Sequence, residues 1–133
     1  MTTCVSAIVM EALVQAARAA PGLELLMLFG SRARGEAQPA SDWDFGYLGT
    51  SVFDGAAFLA ALVEIVGCDR IDLVDLRRAG GLLRYRAARD GRLVWEACAG
   101  LADRFRLDAA QFWCDAGPVL QRGYDEVLAE LER

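Results

Sequence analysis

Gly30-Ser31-Arg32-Ala33-Arg34-Gly35-Glu36-Ala37-Gln38-Pro39-Ala40-Ser41-Asp42-Trp43-Asp44 is the stretch on which the reading of this chain turns. A Gly-Ser pair stands ten residues ahead of Asp-x-Asp. Immediately before it, Leu23-Glu24-Leu25-Leu26-Met27-Leu28-Phe29 is a short apolar run bounded by Pro21-Gly22 and Gly30, the form of a buried strand. Gly30-Ser31 therefore falls where a strand gives way to a short helical turn, expected over Ser31 to Ala37. Ser31 is expected to cap that turn, whose free N–H groups then offer a seat for a phosphate. Pro39-Ala40-Ser41 breaks the turn, and Ser41 to Leu48 reads as a second strand. Residues two apart on a strand share a face, so Asp42 and Asp44 aim their carboxylates together while Trp43 points away.

Chance is a poor account of this pattern. If each required residue type fills roughly one position in fifteen, the four coincide at about one start in fifty thousand. The plain alternative is an ordinary Gly-Ser turn followed by two solvent-facing aspartates on an edge strand. Like charges side by side on one face repel, so such a pair needs a reason.

The rest of the composition narrows the chemistry. The chain has 133 residues, 55% of them hydrophobic and 25% charged, and is read as one domain over 1–133 with a real apolar core. A catalytic core is expected over about 20–96 and C-terminal helices over about 99–132. No apolar run reaches membrane-spanning length, and Met1 to Val9 lacks the charge and length of a secretory leader, so the expected location is cytoplasmic with no membrane partner. The net charge of −5 argues against a direct, sequence-independent grip on nucleic acid, which depends on cations neutralising phosphates. Every basic side chain is an arginine, a choice suited to planar contacts with carboxylate or phosphate.

There is no histidine, and Cys4, Cys68, Cys98 and Cys114 are scattered without a C-x-x-C. Zinc ligation and Ser-His or Cys-His nucleophiles are thereby set aside, and the thiols are expected to be reduced and mostly buried. The remaining chemistry must use carboxylates, hydroxyls, arginine or metal.

Taken in order, Val5, Ile8, Val9, Leu13 and Ala16 predict an amphipathic helix from about Thr3 to Ala19, ended by Pro21-Gly22. Gly46, inside the second strand, suggests a bulge or a close backbone approach to a nucleotide base. Phe53, Ala57, Phe58, Ala61, Leu62 and Ile65 predict a helix over Val52 to Val66. Asp69 to Leu76 reads as a third strand with Asp72 and Val74 on one face and Ile71, Leu73 and Asp75 on the other. Either Asp72 or Asp75 could complete a triad with Asp42 and Asp44. A helix over Leu82 to Arg89, a fourth strand over Arg92 to Trp95 and two terminal helices carrying Phe105, Phe112, Trp113 and Tyr124 complete the chain. That much aromatic surface exceeds what a small sheet buries, and the remainder suits a protein partner or self-association into a homo-oligomer.

Gly30-Ser31-x10-Asp42-x-Asp44 resembles the signature of the polymerase-beta-type nucleotidyltransferases. The wording around it, Phe29 to Gly35 and Ser41 to Asp44, is similar to that of the minimal nucleotidyltransferases, or MNT proteins. The similarity continues through Arg70 to Leu76 and Leu82 to Tyr85 as far as Glu96. The resemblance implies an α/β (α+β) nucleotidyltransferase fold: a small mixed β-sheet of about four strands packed with helices, and a helical C-terminus. It implies Gly30 and Ser31 as nucleotide-binding residues, and it selects Asp72 over Asp75 as the third carboxylate. It also implies a type VII-like antitoxin that transfers AMP from ATP to a tyrosine of a cognate HEPN-domain ribonuclease toxin. A nucleotidyltransferase acting on a small-molecule hydroxyl and a non-catalytic antitoxin acting by stoichiometric contact are the alternatives.

Charge supplies the expected cofactor. Three carboxylates converging at about 4 Å repel by roughly 4 kcal/mol per pair at an effective dielectric near 20. Oxygen-only ligands of this kind select Mg²⁺, here two ions held by Asp42, Asp44 and Asp72, with Ser31 donating to the triphosphate. Arg32 and Arg34 flank the seat. Phosphate contact is evenly matched for them against pairing with Glu36 or plain surface charge, and neither is counted among the catalytic residues.

Overall fold

A computed structural model describes residues 6–35 and 41–112, with Cys114 and Arg122 beyond them. The first helix, α1, spans Ala7–Ala19; Ser6 caps it by accepting the Val9 N–H at 3.2 Å. The predicted start at Thr3 lies outside the described residues. β1 (Leu23–Phe29) follows, then the one-turn α2 (Ser31–Arg34), β2 (Trp43–Gly49), α3 (Gly55–Val66), β3 (Ile71–Asp75), α4 (Gly81–Asp90) and β4 (Arg92–Glu96). Residues 101–112 form a further helix, α5. The second predicted terminal helix, with Tyr124, lies outside the described residues apart from Arg122, and Trp113 lies outside them too.

The four strands make one mixed sheet in the order β3-β2-β1-β4. β1 runs antiparallel to both β2 and β4, and β2 runs parallel to β3, the two being joined through α3. This order explains why β1 has no polar alternation. A central strand covered on both faces must be apolar throughout, and Leu25, Leu26, Met27 and Leu28 are all fully buried. Leu26 and Leu28 face a cluster with Leu13 and Ala17 of α1 and Phe58 and Leu62 of α3. Leu25 and Met27 face the opposite cluster, with Ala87 and Ala88 of α4 and Ala102, Phe105 and Ala109 of α5. Each such side chain contributes about 1.5–3 kcal/mol by leaving water.

β2 is interior, so the edge-strand alternative for the two aspartates does not apply. Gly46 has a different reason from the expected one. The β1–β2 register shifts between Leu23 and Leu25, not at Gly46, which sits opposite Met27. A Cβ on Gly46 would stand 2.7 Å from Cδ2 of Leu76, a fully buried residue. The glycine makes room for a core leucine, not for a base. Gly46→Ala is therefore expected to cost about 1–3 kcal/mol. Chemical denaturation of Gly46→Ala, Leu76→Val and the pair should show the double variant losing less than the sum of the singles.

The cysteines also depart from expectation. Cys68 is half-buried, its Sγ 3.3 Å from the Arg70 N–H, whereas Cys98 and Cys114 are exposed; none of these three is in a disulfide. Cys4 lies outside the described residues. Phe105 and Ala109 enter the core, but Phe112 on the same helix stays 46% exposed and Leu107 66%, apolar surface the sheet does not cover.

Candidate active site

The end of β1, the start of β2 and the start of β3 lie at one end of the sheet, because β1 runs opposite to its neighbour β2 and β2 runs with β3. Phe29 is the register partner of Asp44, and Asp44 is the register partner of Asp72. Register partners in a sheet point to the same face. Asp44 and Asp72 thus stand side by side on the face that carries α4 and α5. Trp43 and Phe45 go to the other face, their rings stacked with centroids 6.0 Å apart and planes 9° from parallel.

Asp42 differs from its expected setting. β2 begins at Trp43, whose N–H donates to the Arg70 carbonyl at 2.9 Å, so Asp42 precedes the strand and is exposed. It lines a cleft of about 200 Å³ with Asp69, Arg70, Ile71 and Asp72. Asp72 therefore belongs to both arrangements, beside Asp44 in the sheet and beside Asp42 in the cleft. Asp75 does not. It lies on the opposite face near the far end of β3, where its Oδ1 accepts the Arg77 N–H at 3.0 Å and its Oδ2 stands 3.8 Å from Arg78. Arg77 in turn bridges to the Gly49 carbonyl at 2.6 Å and to Glu24 at 3.0 Å, closing that end of the sheet.

Gly30 fits the bend as no other residue does. Its φ of 77° and ψ of −160° fall in a region that is essentially glycine-only. The position where its Cβ would project is taken by the Asp44 carboxylate. The bend and the carboxylate are in direct contact. Ser31 is not the cap of α2; Gly30 occupies that position without a side-chain bond, and Ser31 is the first helical residue. The turn also ends sooner than Ala37, at Gly35, with φ of 74°.

Among the described residues, no three carboxylate or thiol side chains are gathered closely enough to form a metal-ligand group. Asp42, Asp44 and Asp72 share one end of the sheet, and mutual repulsion opposes drawing them tighter. Their chemistry fits a hard divalent cation all the same: the donors are oxygens only, and Asp44 fills a space cleared for it by Gly30. A larger cavity of about 320 Å³ lies between α1 and α3, lined by Ala16, Ala19, Phe53, Ala57, Phe58 and neighbours. Its carboxylate, Asp54, already accepts the Ala57 N–H to cap α3, so the cavity offers no convergent polar set for chemistry.

Residues 11–98 match the family model described as polymerase beta, nucleotidyltransferase. The chain belongs to that nucleotidyltransferase family. A protein adenylyltransferase MntA from Aphanizomenon flos-aquae is 33% identical over 98 residues, which is 65% of this chain and 65% of the relative. The chain thus spans slightly under two thirds of that relative's length. The nucleotidyltransferase fold extends further than the sequence likeness. A crystal structure of a toxin-antitoxin with AMP-PNP superposes with a TM-score of 0.75 at 24% identity, over 90% of this chain and 98% of the other. A tri-AMPylated Shewanella oneidensis HEPN toxin in complex with MNT antitoxin gives 0.69 at 23% identity, over 90% and 96%.

Two features at this end of the sheet were not legible in the sequence. The guanidinium carbon of Arg32 lies over the Trp43 ring, 4.3 Å from its centroid, and Nη2 donates to the Ser41 carbonyl at 2.9 Å. Asp69 and Arg70 enter the cleft beside Asp42. Neither follows from a repeat of 2.0 or 3.6 residues, since each joins separate elements. The Arg34 side chain lies outside what is described.

Proposed function

We propose that this chain transfers AMP from ATP to a tyrosine hydroxyl of a cognate HEPN-domain toxin and thereby neutralises it. The observation that carries the reading is the placing of Asp44 against Gly30 and level with Asp72 at the same sheet end. Its biological direction is supported by the adenylyltransferase MntA to which the chain is similar.

Asp42, Asp44 and Asp72 would hold two Mg²⁺ ions. When bound, such ions lower the pKa of an acceptor hydroxyl and neutralise charge on the triphosphate. Gly30 lets the backbone approach the phosphates closely, and the Ser31 hydroxyl donates to them. Asp72, which is exposed, would accept the proton of the incoming hydroxyl. The acceptor oxygen bonds to the α-phosphorus as the α–β bridging P–O bond breaks, and pyrophosphate leaves in line. A reaction that consumes ATP fits the cytoplasm, and the described residues contain no helix long and apolar enough to cross a membrane.

The direct test is co-expression with a HEPN-domain toxin, to be sought in the neighbouring reading frame, followed by intact-mass and peptide mass spectrometry. One or more adenylyl groups on a tyrosine of that protein is the expected result. AMP found only on a small metabolite, or no AMP at all with toxicity still suppressed, would remove the reading.

Asp72 and Asp75 should separate cleanly in the same assay. Asp72→Asn is expected to lower transfer by about a hundredfold or more. Asp75→Asn keeps its distance from the site and should change the rate by no more than about twofold, with a stability loss of about 0.5–1.5 kcal/mol from the weakened turn. Initial rates and urea midpoints of the two variants measure both effects.

A further inference from the structure

Asp42 lies outside the strand ladder, exposed, and immediately ahead of the first β2–β3 hydrogen bond at Trp43. A carboxylate in that position needs something else to hold it. Arg32 touches the residue on each side. Its Nη2 donates to the carbonyl of Ser41 at 2.9 Å, and the guanidinium carbon lies over the Trp43 ring, 4.3 Å from the centroid. The Trp43 ring is itself anchored: it is 6% exposed and stacked on Phe45. One end of the clasp is therefore core, and the other is the peptide leading into Asp42.

We propose that Arg32 is a positioning residue that sets Asp42 for divalent-cation binding by clasping the chain on both sides of it. The inference rests on the reading of Asp42 as a cation ligand. Arginine suits both contacts at once, because a guanidinium can donate a hydrogen bond from one nitrogen while its cation lies over an aromatic ring. A lysine ammonium is a point charge with neither the planar face nor the fixed fork. Arg32 thus acts on the chemistry through another residue, not as a phosphate ligand.

Mn²⁺ provides a readout separate from turnover. Its binding to the whole chain, in the presence of a non-hydrolysable ATP analogue, is measured by the electron paramagnetic resonance signal of the free ion. Binding of the analogue without metal is measured in parallel, as is the melting temperature without ligand. Arg32→Met and Arg32→Lys are both expected to weaken Mn²⁺ binding about tenfold and to leave metal-free analogue binding within about twofold of wild type. In an Asp42→Asn background, Arg32→Met should add nothing further, since the group it positions is gone. Arg32→Lys is the deciding variant should Arg32→Met melt far below wild type.

Wild-type Mn²⁺ affinity in Arg32→Lys, with Asp42→Asn still weakened, would overturn the positioning role and leave the reading of Asp42 intact. Wild-type affinity in Asp42→Asn itself would overturn both. Loss of metal-free analogue binding in the Arg32 variants would identify a phosphate ligand and overturn the proposal as well.

Discussion

Asp44→Asn is expected to reduce AMP transfer by about a thousandfold or more while the protein stays folded. Asparagine has the shape of aspartate but not its charge, so the half-buried position on an interior strand remains filled. What disappears is the anionic oxygen that lies between the Gly30 bend and Asp72. The loss should appear at the ground state too. A ligand at a hundred times its Kd stabilises the form that binds it by about 2.7 kcal/mol. MgATP should therefore raise the melting temperature of the wild type by several degrees, and the rise should vanish in Asp44→Asn. An undiminished rise would place the nucleotide elsewhere. In cells, the Asp42→Ala, Asp44→Ala double variant should fail to protect against the toxin, whereas an antitoxin working by contact alone would still protect.

Gly30→Ala should be the most damaging single methyl group that can be added near the site. Two costs coincide there. Alanine at φ of 77° and ψ of −160° is strained, by about 1–3 kcal/mol. The new Cβ also falls on the Asp44 carboxylate, which cannot retreat without leaving its level with Asp72. Together a loss of about 2–4 kcal/mol is expected, or roughly 5 to 15 °C in melting temperature for a chain of this size. Catalysis should suffer beyond what unfolding explains, because the residual folded protein holds its carboxylate displaced. Rates measured well below the new melting temperature separate the two effects. Wild-type rates at such a temperature would show that the contact between Gly30 and Asp44 has no part in the chemistry.

Much of this arrangement was legible in the amino-acid order. The run Leu23 to Phe29 is a strand with the expected limits, and α3 ends at Val66 as expected, although it starts at Gly55, where Asp54 caps it, and not at Val52. The alternation Trp-Asp-Phe sorts the Asp44 carboxylate to one face of β2 and the two aromatic rings to the other, as a period of two requires, whereas Asp42 falls outside the strand. Such signals are local, encoded in residues that are neighbours along the backbone. Ser31 is not the cap for a related reason: capping depends on the backbone angles of Gly30, which its lack of a side chain permits but does not announce.

Other features exist only once the strands are paired. Asp72 and Asp75 are three residues apart and equally acidic on paper; the parallel β2–β3 register puts the first level with Asp44 and the second at the other end, on the other face. Gly46 is empty because Leu76 needs the room, and Arg32 clasps Trp43 because a one-turn helix and a strand end meet in space. The residue order by itself determined the elements, the apolar central strand and the carboxylates available for chemistry. Which carboxylates stand together, and what holds them, was decided by the tertiary structure, since sheet register and side-chain contact depend on distances between segments that no repeat along the chain encodes.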